Sequence, residues 1–196
     1  MTDLPENPRL FVAVELPGEV REALGQLQHE LQRHGLEGVR CVRPEGIHLT
    51  LKFLGETARE RLPAIGEALA KAVDGVTEHK LALGQIGTFG SRSSPRVLWI
   101  DLTGDVEMML DLQRQVDRML AGIGFPSEAR PFSPHLTLAR VRPESARALA
   151  GPLAEAVRSV TAPRTTIEMR EVSLMLSKIG PGGAVYTRLR AFPLSG

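Results

Sequence analysis

The tetrapeptide His48-Leu49-Thr50-Leu51 recurs unchanged as His135-Leu136-Thr137-Leu138, 87 residues further along the chain (135 − 48). Each copy belongs to an apolar run, 47–54 and 135–141, that predicts a β-strand. Because side chains at i and i+2 point to the same side of a strand, each copy presents an imidazole and a hydroxyl on one face and two leucines on the other. We expect the leucines to pack in a core and the two His-Thr pairs to form a single site across one cleft.

The same offset relates other landmarks in the two halves of the chain. Helix-ending glycines, prolines before the motif strands and apolar helix positions match in four pairs: Gly35 with Gly122, Pro44 with Pro131, Leu62 with Leu149, and Val73 with Val160. We therefore infer a duplicated strand–helix–strand–helix–strand unit, roughly 9–87 and 96–174, in a single domain over 1–196. An approximate two-fold axis would place His48 opposite His135 in a groove between two intertwined lobes.

Hydrophobic periodicity predicts the elements that build these lobes. The predicted strands are 9–16, 39–43, 47–54, 80–89, 95–103, 135–141, 164–178 and 184–193, and the predicted helices are 18–34, 58–73, 105–122 and 143–160. The last two strands form a closing hairpin over 164–193 around Gly180-Pro181-Gly182-Gly183. This glycine-rich stretch lacks the Lys-Ser/Thr ending and the following helix of a phosphate loop, so we interpret it as a turn.

Composition narrows the class of protein. The chain of 196 residues has 42% hydrophobic and 24% charged residues and a net charge of +1, which are ordinary globular values. One cysteine, Cys41, excludes an internal disulfide and fits a reducing compartment. The polar start, 1–9, is no signal peptide, and no apolar run approaches the roughly 20 residues that span a bilayer. We expect a soluble, cytoplasmic protein that neither enters a membrane nor needs a partner subunit.

Two histidines in one cleft suit the cleavage of a phosphodiester. The usual pKa of histidine lies near neutral pH, so one imidazole can accept a proton from the attacking oxygen while the other protonates the leaving oxygen. The hydroxyls of Thr50 and Thr137 can donate hydrogen bonds to the non-bridging phosphate oxygens. Neither His-x-Thr unit has further ligands at zinc-site spacing, so we expect no metal and no other cofactor. The residues alone leave open which histidine is the acid.

Five stretches carry a family resemblance: RLFVAVELP at 9–17, RPEGIHLTLKFLGE at 43–56, PRVLWIDL at 95–102, PFSPHLTLARVR at 131–142 and GPGGAVYTRLRAFPL at 180–194. In this order they resemble the RNA 2′,3′-cyclic phosphodiesterase branch, also called 2′-5′ RNA ligase, of the two-histidine phosphoesterase superfamily. The resemblance implies a bilobal α+β fold, in which two antiparallel β-sheets line a central cleft and the helices lie outside. It also implies hydrolysis of a 2′,3′-cyclic phosphate at an RNA end to a 2′-phosphate.

The resemblance further implies roles for individual residues. His48 would be the proton donor to the 3′ oxygen, and His135 would be the proton acceptor that activates water. Thr50 and Thr137 would bind the phosphate. Some relatives also join tRNA halves through a 2′-5′ bond in the reverse direction.

Three further residues are candidates for substrate binding. Arg140 matches a basic residue that follows the second motif in relatives, but strict alternation puts it on the leucine face, so it needs a bulge or a strand end to reach the cleft. Lys52 shares the face of His48 and Thr50 by strict alternation. Phe11 could stack on an RNA base, and the alternative is packing in the core.

Two other function classes remain open. The chain could be a non-catalytic module that binds RNA ends, although both histidines and both threonines are intact. It could also be a phosphodiesterase for small cyclic nucleotides. The expected partners are accordingly RNA with 2′,3′-cyclic phosphate ends, such as tRNA fragments, or cyclic nucleotides.

Overall fold

The structure is a computed structural model that describes residues 4–180 and 183–196. Within these residues the chain forms nine strands and four helices: β1 (Arg9–Glu15), α1 (Gly18–Gln32), β2 (Val39–Cys41), β3 (His48–Glu56), α2 (Leu62–Val73), β4 (His79–Ser91), β5 (Ser94–Gly104), α3 (Val106–Ala121), β6 (His135–Val141), α4 (Ala150–Ser159), β7 (Thr166–Met169), β8 (Glu171–Gly180) and β9 (Gly183–Pro193). Pro181 and Gly182 of the predicted turn lie outside the described residues.

The described strands form one antiparallel sheet in the order β7-β4-β5-β6-β3-β1-β8-β9, with β2 paired to β6. The two predicted sheets are its halves, β7-β4-β5-β6 and β3-β1-β8-β9. They join where β3 meets β6 through the residue pair Leu49 and Leu136. The strands next to this junction follow the same order in both halves, which supports the predicted duplication. The repeat itself stays a prediction.

The helices cover one face of the sheet. Both motif leucines, Leu49 and Leu136, belong to the same buried core as the apolar faces of the helices. In α1 and α3 these faces consist of residues at helical spacing: Val20, Leu24, Leu27, Leu31, Met109, Leu112, Val116 and Leu120. The opposite face of the two central strands is therefore the one that can hold a site. Among the described residues no helix is long and apolar enough to span a membrane.

The predicted continuous strand over 164–178 is wrong. The chain instead forms β7, which pairs with β4 at one edge of the sheet, and β8, which pairs with β1 in the other half. Arg170 separates the two strands. Neither glycine nor proline marks this crossing in the sequence, so local periodicity could not reveal it. The predicted hairpin partner is confirmed, because β8 pairs with β9.

Candidate active site

The two His-x-Thr motifs lie side by side because β3 and β6 are antiparallel neighbours. Leu49 and Leu136 face each other across the junction and are at most 1% exposed. Residues adjacent to such a pair point to the other face, so His48 lies across from Thr137 and Thr50 lies across from His135. The histidines are thus diagonal neighbours, a relation that places Cα atoms about 7–8 Å apart. All four side chains are partly exposed on this face, which we call the cleft face.

The imidazole of His48 is fixed by a backbone carbonyl and two aromatic rings. Its Nδ1 lies 2.9 Å from the carbonyl oxygen of Gly46. Since a carbonyl only accepts hydrogen bonds, Nδ1 carries a hydrogen and Nε2 is left for the substrate. The ring centroid of Phe11 lies 4.8 Å away, and the ring of Tyr186 meets the imidazole edge-on at 4.9 Å.

Burial controls the protonation of His48. Loss of solvent lowers the pKa of His48 below its usual value near 6.5. The hydrogen bond to Gly46 and the negative charge of Glu15 both act in the opposite direction without cancelling the effect of burial. The fraction of His48 in the imidazolium form therefore depends on Gly46 and Glu15, the groups that favour its positive charge.

His135 is held in the same way by different residues. Its Nδ1 lies 2.8 Å from the carbonyl oxygen of Ser133, which again leaves Nε2 for the substrate. The ring of Phe89 meets the imidazole edge-on at 4.9 Å, and Phe89 in turn packs on Trp99 at 5.1 Å. In both motifs the carbonyl two residues before the histidine thus fixes the tautomer, and an aromatic ring from another strand fixes the orientation.

A β-bulge brings Arg140 to the cleft face. Thr137 pairs with Trp99, and Ala139 pairs with Leu98, so Leu138 is the extra residue of β6. The bulge reverses the alternation beyond this point. As a result Ala139 is buried and Arg140 is exposed on the side of Thr137. Strict alternation places Arg140 on the leucine face, so this bulge, and not a strand end, brings Arg140 to the site.

A matching bulge turns Lys52 away from the cleft. Thr50 pairs with Ala13, and Lys52 pairs with Val12, which lies in the helix-side core. Lys52 is only 3% exposed, and its Nζ donates to the carbonyl oxygen of Pro126 at 2.7 Å and to the carboxylate of Asp117 on α3. The predicted position of Lys52 on the face of His48 is wrong, because strict alternation ignores the bulge.

Burial decides between the two roles that the sequence left open for Phe11, base stacking and core packing. Phe11 lies on the cleft face with Ala13, Met175 and Tyr186, but it is only 2% exposed and is covered by its neighbours. Packing is therefore its role, and stacking of a base on Phe11 is excluded by this burial. Phe53, whose ring centroid lies 6.1 Å from that of Phe11, is 63% exposed.

Sequence reasoning missed Phe53 because strict alternation places it on the leucine face. Its register pairs it with Phe11 and so shows it on the cleft face. Tyr186 and Phe89 were also missed, since they reach the histidines from strands β9 and β4, far from the motifs in sequence. No local signal at these positions could have indicated the contacts.

The sequence and the fold both have known counterparts. The family model of the LigT like phosphoesterases matches residues 14–99 and 103–186. The chain belongs to this family. The RNA 2′,3′-cyclic phosphodiesterase of Archaeoglobus fulgidus is 34% identical over 94% of this chain and 99% of that protein. The protein of the same name from Thermus thermophilus is 32% identical over 96% of this chain and 91% of its own length.

Solved structures of this LigT-like family share the architecture. The crystal structure of Escherichia coli LigT in apo form matches with a TM-score of 0.75 at 28% identity, over 98% of this chain and 100% of that chain. The structure of E. coli LigT complexed with 3′-AMP matches with a TM-score of 0.73 at 29% identity, over 97% and 100%. The family and the bilobal α+β fold implied by the sequence are thereby confirmed.

Proposed function

We propose that this LigT-like phosphoesterase hydrolyses the 2′,3′-cyclic phosphate at the end of an RNA strand and leaves a 2′-phosphate. The observation that carries this proposal is the pairing of Leu49 with Leu136, which brings two imidazoles and two hydroxyls onto one face. The relatives named RNA 2′,3′-cyclic phosphodiesterase support the substrate class. The complex of E. coli LigT with 3′-AMP supports the binding of a nucleotide by this fold.

In the proposed reaction the two histidines act on opposite sides of the phosphorus atom. His135 takes a proton from water as the water oxygen attacks phosphorus. The bond between phosphorus and the 3′ oxygen breaks, and His48 gives its proton to that oxygen. The products are a 2′-phosphate and a free 3′-hydroxyl. Because the Nδ1 of each histidine donates a hydrogen bond to a backbone carbonyl oxygen, both proton transfers use Nε2.

The remaining site residues bind the charge of the phosphate. The hydroxyls of Thr50 and Thr137 donate hydrogen bonds to the two non-bridging oxygens, each beside one histidine. The guanidinium of Arg140 neutralises the phosphate from the end of β6. Preformed donors of this kind stabilise the transition state without further rearrangement. We also infer that the enzyme acts as a monomer in the cytoplasm, since all these groups come from one chain and its single cysteine fits a reducing compartment.

Product mapping tests the proposed function. A short synthetic RNA with a 2′,3′-cyclic end is incubated with the protein, and the product is assigned by phosphorus NMR. We expect a 2′-phosphate as the only product, at a rate that EDTA does not change. A 3′-phosphate would contradict the assigned bond cleavage, and inhibition by EDTA that divalent metal reverses would contradict the mechanism.

The same assay separates the two alternatives. RNA binding without turnover would favour a non-catalytic module for RNA ends. Faster turnover of 2′,3′-cyclic AMP than of the RNA would favour an enzyme for small cyclic nucleotides. Incubation of the 2′,3′-cyclic RNA with an RNA that carries a 5′-hydroxyl would reveal 2′-5′ ligation in the reverse direction.

Phe53 takes the stacking role that the sequence suggested for Phe11. Its exposed ring lies on the cleft face along the strand that carries Thr50. Stacking of a base on an aromatic side chain contributes about 1–3 kcal/mol by alanine substitution, so Phe53→Ala should lower kcat/KM for the RNA about fivefold or more.

The matched control for Phe53→Ala is Val185→Ala. Val185 is 57% exposed on β9 but pairs with Lys178, on the face opposite to Tyr186. The substitution Val185→Ala should therefore leave kcat/KM for the RNA unchanged. Equal effects of the two substitutions, or no effect of Phe53→Ala, would remove Phe53 from the site.

A further inference from the structure

Glu15 of β1 is the cross-strand neighbour of His48. The adjacent pair, Val14 and Leu49, lies in the helix-side core, so Glu15 and His48 both lie on the cleft face. Side chains that face each other directly on antiparallel strands have Cβ atoms about 4.5–5.5 Å apart. A carboxylate is therefore built next to one of the two imidazoles.

The carboxylate of Glu15 is held in place by two further strands. Its Oε2 accepts a hydrogen bond of 3.0 Å from the hydroxyl of Ser173 on β8, a residue with 0% exposure. The Nε of Arg188 on β9 lies 3.4 Å from the same oxygen, and the guanidinium of Arg188 also pairs with Glu171. These donors hold the carboxylate in one position.

We propose that Glu15 is a positioning residue whose negative charge favours the protonated form of His48, so that His48 can act as the proton donor. The inference rests on the proposed function, because only an acid must hold its proton until the leaving oxygen departs. Burial alone would favour the neutral imidazole, and a fixed negative charge on the next strand counteracts part of this effect, in addition to the hydrogen bond to Gly46. Glu15 thus supplies a negative charge beside His48, which the motif His48-Leu49-Thr50-Leu51 does not contain.

Other charged groups near His48 act differently from Glu15. Arg188, which pairs with Glu15, is a cation and disfavours a positive charge on the imidazole, and Tyr186 meets the imidazole ring edge-on. The cross-strand neighbour of His135 is Asp101, whose Oδ1 accepts the amide hydrogen of Gln85. Asp101 thereby ties β5 to the backbone of β4.

The test is the variant Glu15→Gln, which removes the charge and keeps the size of the side chain. Proton NMR should show that His48 releases its proton at a lower pH than in the wild type. At pH 8, kcat/KM should fall about three- to tenfold, since fewer molecules carry the proton. The deficit should shrink as the pH is lowered, because acid favours the imidazolium form of His48 in both proteins.

The matched control is Glu171→Gln. This substitution also removes a negative charge that pairs with Arg188, but Glu171 lies on β8, one strand further from His48 than Glu15. Its pH profile should equal that of the wild type, and Glu15→Asp should retain most of the activity at pH 8. An unchanged titration of His48 in Glu15→Gln, or a loss of equal size at every pH, would overturn the proposal.

Failure of this inference can be distinguished from failure of the proposed function. If the wild type does not hydrolyse the cyclic phosphate, the function is wrong, whereas the NMR titration still decides whether Glu15 controls His48. If the wild type is active and the titration of His48 does not depend on Glu15, the function stands and the positioning role is wrong.

Discussion

We expect His48→Ala and His135→Ala each to lower the turnover of a 2′,3′-cyclic RNA by a factor of about 10²–10⁴, the usual contribution of general acid–base catalysis. Each imidazole offers its Nε2 to the substrate, so removing the ring removes the proton donor or acceptor at that atom. Single-turnover hydrolysis of a labelled RNA measures the loss directly, and circular dichroism verifies that both variants are folded.

The residual activity of these variants assigns the acid and the base. If His48 is the donor, His48→Ala retains only the base, so its remaining rate should rise with pH, since a general base acts in its deprotonated form. His135→Ala retains only the acid, so its remaining rate should fall as the pH rises. The opposite slopes would exchange the two roles, and full activity of either variant would exclude that histidine from catalysis.

A control histidine is available on the surface. His29 is exposed on α1, on the covered side of the sheet, and His29→Ala should have the activity of the wild type. An equal loss in this variant would show that the assay responds to altered stability or expression rather than to chemistry.

Much of the site could be predicted from the sequence because the alternation of side chains along a strand is a local property of each motif. The alternation in each motif correctly gave the face of His48 and Thr50, and the matching motif gave that of His135 and Thr137. Their meeting across one junction depends on the pairing of Leu49 with Leu136, which the internal repeat and the family resemblance suggested. A repeated motif thus carried tertiary information that a single copy would lack.

The residues beyond each motif could not be placed from the sequence. A bulge needs one extra residue opposite a partner strand, and that partner is known only from the fold. The bulges of β3 and β6 lie at Leu51 and Leu138, which are themselves related by the repeat (138 − 51 = 87). Lys52 and Arg140 consequently lie on opposite faces, although both follow the motifs closely.

The buried ion pair of Lys52 gives the largest expected effect on stability. Its side chain is 1% exposed and pairs with Asp117, whose side chain is 18% exposed. Removing one partner of such a pair leaves an uncompensated charge in the core, so Asp117→Ala should lower the free energy of unfolding by about 3 kcal/mol. Urea denaturation monitored by fluorescence of Trp99 measures this change.

The matched control for Asp117→Ala lies on the same helix. Asp111 pairs with Arg114 on α3, but both side chains are at least 60% exposed. Because water screens such a pair, Asp111→Ala should change the free energy of unfolding by no more than about 0.5 kcal/mol. Similar losses in the two variants would show that the cost arises from the helix and not from the buried lysine.

Replacing both partners separates the cost of an unpaired charge from the contribution of the pair. The double variant Lys52→Met/Asp117→Leu buries no charge, so it should be far more stable than Asp117→Ala. Burial raises the pKa of Asp117, but hydrogen bonds from Lys52 and Ser127 outweigh it and lower the pKa overall. A carboxyl group whose pKa is lower in the folded than in the unfolded protein stabilises the fold at pH values above its unfolded-state pKa. This stabilisation is lost as the pH falls through the folded-state pKa. The stability of the wild type relative to the double variant should therefore decrease on acidification, and a constant difference would show that the pair contributes no net charge interaction.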